Sequence, residues 1–113
     1  MKPELKRIVL KGNQPDNIDD FVIAADADIG EEGFEGADYF HFRIVTPKRL
    51  MRWLEEDRIV NGRYTFVVNE STMEDNLKIV EDEINKVLQS CEGSTWEDVA
   101  LAVSRHLKWE YDV

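Results

Sequence analysis

The chain has 113 residues, 42% hydrophobic and 34% charged, enough to bury one continuous core without disulfides or a structural metal, and too apolar for a disordered segment. Lys plus Arg number 14 against 24 Asp plus Glu, a net charge of -10, which argues against nucleic acid and anionic membranes as partners and for basic ones. Cys91 is the lone cysteine, which excludes an internal disulfide framework and a multi-cysteine metal site. No apolar run suits a signal peptide or the ~18 residues of a membrane helix, so one cytoplasmic domain over residues 1–113 is expected.

Leu5 to Leu10 predicts a first, edge-type strand, although Ile8-Val9-Leu10 does not alternate cleanly and leaves its inward face ambiguous. Gly12 to Asp20 has the composition of a surface loop. From Phe21 to Ile29 the alternation is regular, with Phe21, Ile23, Ala25, Ala27 and Ile29 on one face and Val22, Ala24, Asp26 and Asp28 on the other. Gly30 to Gly36 supplies a reversal, and Asp38 to Val45 alternates again with Phe40, Phe42 and Ile44 inward. The pair predicts a hairpin whose paired residue numbers have an odd sum; a sum of 69 sets Asp28 opposite His41 and Asp26 opposite Arg43.

Thr46-Pro47 marks a helix start, the threonine accepting from free backbone N–H groups, and the helix runs to about Glu56 with Leu50, Trp53 and Leu54 as its stripe. Asn61-Gly62 turns the chain into a strand, Arg63 to Val68, with Tyr64, Phe66 and Val68 inward. Two longer helices open with the capping boxes Ser71-x-x-Glu74 and Ser94-x-x-Glu97. The first carries Met73, Leu77, Val80, Ile84, Val87, Leu88 and Cys91 on one face and ends at Gly93; the second carries Trp96, Val99, Ala100, Val103 and Leu107. With the cap placed at Ser94, Thr95→Ala should matter little, whereas Trp96→Ala should remove a packed aromatic. Trp109 to Val113 forms a short strand or an extended arm that packs through its aromatics. The expected fold is α+β, an antiparallel sheet of about four strands in the order β-β-β-α-β-α-α with the two C-terminal helices on one face.

No catalytic constellation emerges. Asp26-x-Asp28-x-Gly30 suggests a calcium loop, but the sixth and twelfth positions hold Glu31 and Ala37 where glycine and glutamate are needed. His41 and His106 lie far apart with no nucleophile motif, and His41 is expected in a cross-strand polar pair with Asp26 or Asp28. Cys91 reads as a small core residue. The glycines from Gly30 to Gly36 lack the Lys-Ser or Lys-Thr of a phosphate loop. Neither a cofactor nor a metal is implied.

Charge placement is the strongest functional signal. Residues 12 to 42 contain no Lys or Arg, and within them Asp26, Asp28, Glu31, Glu32, Glu35 and Asp38 gather around one end of the hairpin. These six residues are the candidate partner-binding patch, facing a basic surface; a merely solvated hairpin end is the plainer alternative.

The residues also resemble the immunity protein 8 family of bacterial polymorphic toxin systems. The resemblance rests on Glu35-Gly36-Ala37-Asp38-x-Phe40-x-Phe42-x-Ile44-x-Thr46-Pro47-Lys48-x-Leu50, on Cys91-Glu92-Gly93-x-Thr95-Trp96-Glu97, and on Trp109-Glu110-Tyr111. It departs at Arg49-Leu50, where the family carries tryptophan before leucine; Trp53 stands one turn on. The resemblance implies a small cytoplasmic antidote, without catalysis, that binds and neutralises a cognate polymorphic or contact-dependent toxin domain. It assigns no binding residues, since the shared motifs read as fold determinants, and a homo-oligomer is compatible with it. The competing reading is an acidic interaction module or nucleic-acid mimic unrelated to toxin immunity.

Overall fold

Alternating apolar residues build a sheet and periodic ones the helices that cover it. A computed structural model describes residues 1–112. Its elements are β1 (Pro3–Lys11), β2 (Val22–Glu31), β3 (Asp38–Val45), α1 (Pro47–Asp57), β4 (Thr65–Val67), α2 (Met73–Leu88), α3 (Trp96–Val103) and β5 (Lys108–Trp109). The sheet order is β1-β2-β3-β4, with β5 pairing on β3 as well. The α+β expectation holds, and a fifth short strand is added by the tail.

The core lies between the inward sheet face and the two C-terminal helices. Ala27, Ile29, Phe40 and Ile44 of the sheet pack with Val80, Ile84, Val99, Val103 and Leu107, all at most 1% exposed. Trp109 stacks on Phe40 at 6.5 Å between ring centroids and is bound into the fold, whereas Tyr111 stands edge-on to it and is 63% exposed; Val113, the end of the predicted arm, lies outside the described residues. The ambiguity in β1 comes from a bulge: its register against β2 shifts between Leu5 and Arg7. An extra residue inverts the parity of a strand, so Leu5 before the shift and Ile8 and Leu10 after it all pack against the core.

The hairpin register differs from the expected one. Asp26 pairs with His41, Asp28 with Tyr39 and Ala24 with Arg43, a slip of two residues that keeps every side chain on its predicted face. Gly30 explains it. A Cβ there would meet the Gly36 carbonyl oxygen at 2.1 Å, so its absence lets the returning chain close in more tightly and draws β3 further along β2.

Thr46 starts α1 without capping it. Its side chain makes no cap bond; Oγ1 instead accepts from the Phe21 N–H at 3.0 Å and donates to the Phe21 carbonyl at 3.3 Å. A fully buried hydroxyl thus satisfies the backbone where β2 begins, while Pro47 needs no N–H partner in the first turn. No residue of α1 is fully buried, so its apolar stripe is only a partial contact. The helix carries the chain back alongside the sheet, and β4 therefore pairs parallel to β3, against the antiparallel expectation. Tyr64, at φ 56, breaks the extended backbone and shortens this strand to Thr65–Val67.

Both capping residues sit one position later than predicted. Thr72 accepts from the Asp75 N–H and Thr95 from the Asp98 N–H, each at 3.1 Å. Each start offers two adjacent hydroxyls, and local pattern alone cannot rank them. Thr95 is therefore a cap, and its substitution by alanine should cost about 1 kcal/mol. Cys91 and Leu107 lie beyond the ends of α2 and α3 yet are buried.

Candidate partner-binding surface

The helices cover one sheet face, and most of the other stays open. Its outward positions include Arg7, Val9 and Lys11 of β1, Ala24, Asp26 and Asp28 of β2, and Tyr39, His41 and Arg43 of β3, as the pairings set them. Val9 is 40% exposed and Tyr39 46%, large apolar surfaces on a face whose buried side chains include Asp26 and Asp28.

The six candidate acids do not share one environment. Asp26 is nearly buried: the His41 Nδ1–H donates to its Oδ1 at 2.5 Å, and the Lys11 ammonium lies 3.2 Å from its Oδ2. His41 is therefore in the cross-strand pair its position suggests. Asp28 is 5% exposed; its Oδ2 accepts from the Arg7 Nε–H at 2.5 Å, and its buried Oδ1 has no hydrogen-bond partner. Asp38 Oδ2 accepts from two indoles, Trp96 Nε1–H at 2.7 Å and Trp109 Nε1–H at 3.0 Å, and so ties β3 to α3 and the tail. Glu32 and Glu35 are exposed and Glu31 is half-buried; among the described residues none of these three forms an ion pair.

What the hairpin end brings together is a pair of hollows sharing Phe34 to Ala37. One, of about 430 Å³, is lined by Lys6, Arg7, Asp28, Phe34, Glu35, Gly36, Ala37 and Tyr39. The other, about 300 Å³, is lined by Glu31, Glu35 and Asp38 beside Trp96. Asp26 enters neither, and Glu32 lines a separate depression with Lys2 and Leu88. Lys6 pins the loop by donating to the Phe34 carbonyl at 2.7 Å. The loop thereby holds out Phe34, 63% exposed, with carboxylates around it. Phe34 and Tyr39 are exposed aromatics of this hollow that charge placement does not point to. A lone phenylalanine between Glu32-Gly33 and Glu35-Gly36 was the available signal, since a solvated loop has no need of one.

Chemically the first hollow suits a cationic side chain. Its wall holds two cations, Lys6 and Arg7, with Arg7 already on Asp28, so what it offers a guanidinium or ammonium is the exposed Glu35 carboxylate beside the Phe34 and Tyr39 rings. Burial pushes the Cys91 thiol up, against smaller lowering by Ser90 and Arg105, which leaves a protonated thiol in the core. Among the described residues no group of three or more His, Cys, Asp and Glu could hold a metal ion, and no helix is long and apolar enough to cross a membrane.

The model of the family described as immunity protein 8 matches residues 4–113. No curated protein and no solved structure matches the chain.

Proposed function

The chain belongs to the immunity protein 8 family, and on that premise we propose that it neutralises one cognate toxin domain by stoichiometric binding in the cytoplasm, without catalysis. The observation that supports a surface for this role is the hairpin end, where exposed Phe34 and Tyr39 stand beside Asp28 and Glu35. Aromatic anchors inside a charged rim are the composition from which energetic hot spots are made. In this reading a basic side chain of the toxin enters the hollow, while Glu31, Glu32 and Glu35 draw the toxin in. Asp26 and Asp38 contribute by holding the strands and the loop in place.

The test is co-expression with candidate toxin domains, beginning with any encoded next to this gene. Growth should be rescued by the wild type, rescue should fail against toxins of unrelated sequence, and Phe34→Ala with Glu35→Gln should lose binding and rescue together. Rescue by a folded variant that no longer binds the toxin would overturn the mechanism.

A further inference from the structure

A second feature of the open face has the opposite charge. β4 and β5 both pair on the same edge of β3, β4 at Arg43 to Val45 and β5 at Phe40 and His41. Between them lies a cleft of about 410 Å³ lined by His41, Phe42, Arg43, Asn61, Arg63, Tyr64 and Lys108, with no carboxylate in its wall. Seven of the 14 Lys and Arg form no ion pair among the described residues, and three of those seven, Arg43, Arg63 and Lys108, line this one cleft. Asp57 lines the adjoining hollow with Arg43 and Trp53 and pairs with none of them.

Arg43 is also held in position by neutral groups. Its Nε–H donates to Thr65 Oγ1 at 2.8 Å and Nη2 donates to the Asn61 carbonyl at 2.6 Å. Its guanidinium lies 5.0 Å from the centroid of the Trp53 ring. Arg63 is stacked in the same way, 4.7 Å over Tyr64, whose left-handed backbone shapes the turn into β4. Both guanidinium groups thus lie over aromatic planes, that of Arg43 also on uncharged acceptors, and no carboxylate matches their charge, an arrangement suited to recognising an oxyanion.

We propose that the cleft between β4 and β5, lined by Arg43, Arg63 and Lys108, is a site for an acidic side chain of a protein partner. The assignment rests on the immunity reading for the identity of that partner, the toxin domain. The chain's net charge of -10 works against a polyphosphate such as nucleic acid, whose repeated charges would meet the surrounding acids, whereas one carboxylate needs only the local cations. Tyr39 of the acidic hollow and Arg43 of the cleft stand four residues apart on one strand, roughly 13 Å. The open face therefore selects a partner that presents a basic and an acidic residue at about that spacing, and a uniformly basic surface would lack the second group.

The experiment is an amide-resolved NMR titration of the whole chain with the peptide Gly-Glu-Gly capped at both ends, which carries one carboxylate, with a parallel titration by inorganic phosphate. Saturable shifts at His41, Arg43, Arg63, Tyr64 and Lys108 are expected with the peptide, about tenfold weaker for Arg63→Gln with Lys108→Gln and lost for Arg63→Glu with Lys108→Glu. Arg63 and Lys108 are exposed, so unchanged resonances elsewhere confirm that these variants are folded. No saturable shift, or equal saturation in the glutamate variant, would overturn the site; equally tight binding of phosphate would overturn its assignment to a protein carboxylate. The rescue assay separates the two readings. Failure of the wild type to rescue overturns the immunity reading whatever the peptide does, and equal rescue by the wild type and the glutamate variant overturns the cleft's place in the interface.

Discussion

Asp38 shows why a residue type announces a charge but not its use. By sequence it is one more acid in a segment without lysine or arginine; in the fold one of its oxygens receives both Trp96 and Trp109. Hydrogen bonds to a charged acceptor carry about 1.5–3 kcal/mol each, so Asp38→Ala should destabilise the chain by roughly 2 kcal/mol or more. Asp38→Asn keeps an acceptor and should cost less. Urea melts followed by tryptophan fluorescence measure both, and a midpoint unmoved by Asp38→Ala would remove the residue from the fold and return it to the surface patch. Thr46 makes the same point for a neutral side chain. Because its Oγ1 accepts from the buried Phe21 N–H, the near-isosteric Thr46→Val leaves that donor unpaired and should cost about 1–3 kcal/mol. A simple N-cap would have been equally destabilised by valine, but its loss would free N–H groups of α1. Hydrogen exchange tells them apart, since the cost should appear as lost protection at Phe21 with Lys48 and Arg49, the amides a side-chain cap would hold, unchanged.

Elements were legible wherever one pattern ran unopposed, as in the alternation of β2 and β3 and the apolar stripes of α2 and α3. What sequence hid was every choice between near-equivalent local solutions. The hairpin register turns on the close approach of Gly36 to Gly30, and the caps at Thr72 and Thr95 and the bulge of β1 are choices that local pattern leaves open. The docking of α1 was likewise out of reach, because it depends on an ion pair between segments far apart in the chain. Asp20 Oδ1 accepts from Arg49 Nε–H and from Arg52 Nη2, both at 2.9 Å, so Arg49, at the site where the family resemblance departs, has a partner here. Burial pulls the Asp20 carboxyl up, but the Arg49 hydrogen bond and the charges of Arg52, Arg49 and Lys48 outweigh it and hold it below its ordinary value. A depressed folded pKa gives stability that is present above the unfolded pKa and is lost as pH falls through the folded one. Wild type should therefore exceed Asp20→Asn in stability at neutral pH, and the gap should close below about pH 4. Denaturant melts across that range measure it, and a gap independent of pH would show that the aspartate acts through shape alone.

At the scale of the whole molecule, folding pairs four acids of the block read from sequence, Asp19, Asp20, Asp26 and Asp28, with basic side chains from β1, β3 and α1. Lys11 and Arg7 come from β1 to Asp26 and Asp28, and Lys48, Arg49 and Arg52 come from α1 to Asp19 and Asp20. Glu31, Glu32 and Glu35 are left unpaired around Phe34, so charge and apolar contact are separable at this end of the hairpin and should act on different rates. Exposed charges of this kind chiefly steer encounter, while a packed aromatic sets how long the complex lasts. Replacing Glu31, Glu32 and Glu35 by glutamine should slow association with the toxin by about tenfold at low ionic strength. At ~0.15 M salt the screening length is ~8 Å, so the wild type should slow toward the variant as salt rises, with dissociation nearly constant in both. Phe34→Ala should do the reverse, raising the dissociation rate and leaving the salt slope intact. Stopped-flow association at two ionic strengths, with dissociation by competition, resolves the two effects. Equal association rates and equal salt slopes for the wild type and the triple glutamine variant would mean that these carboxylates only solvate the loop, and that any steering comes from acids elsewhere, such as those of α1 and α2.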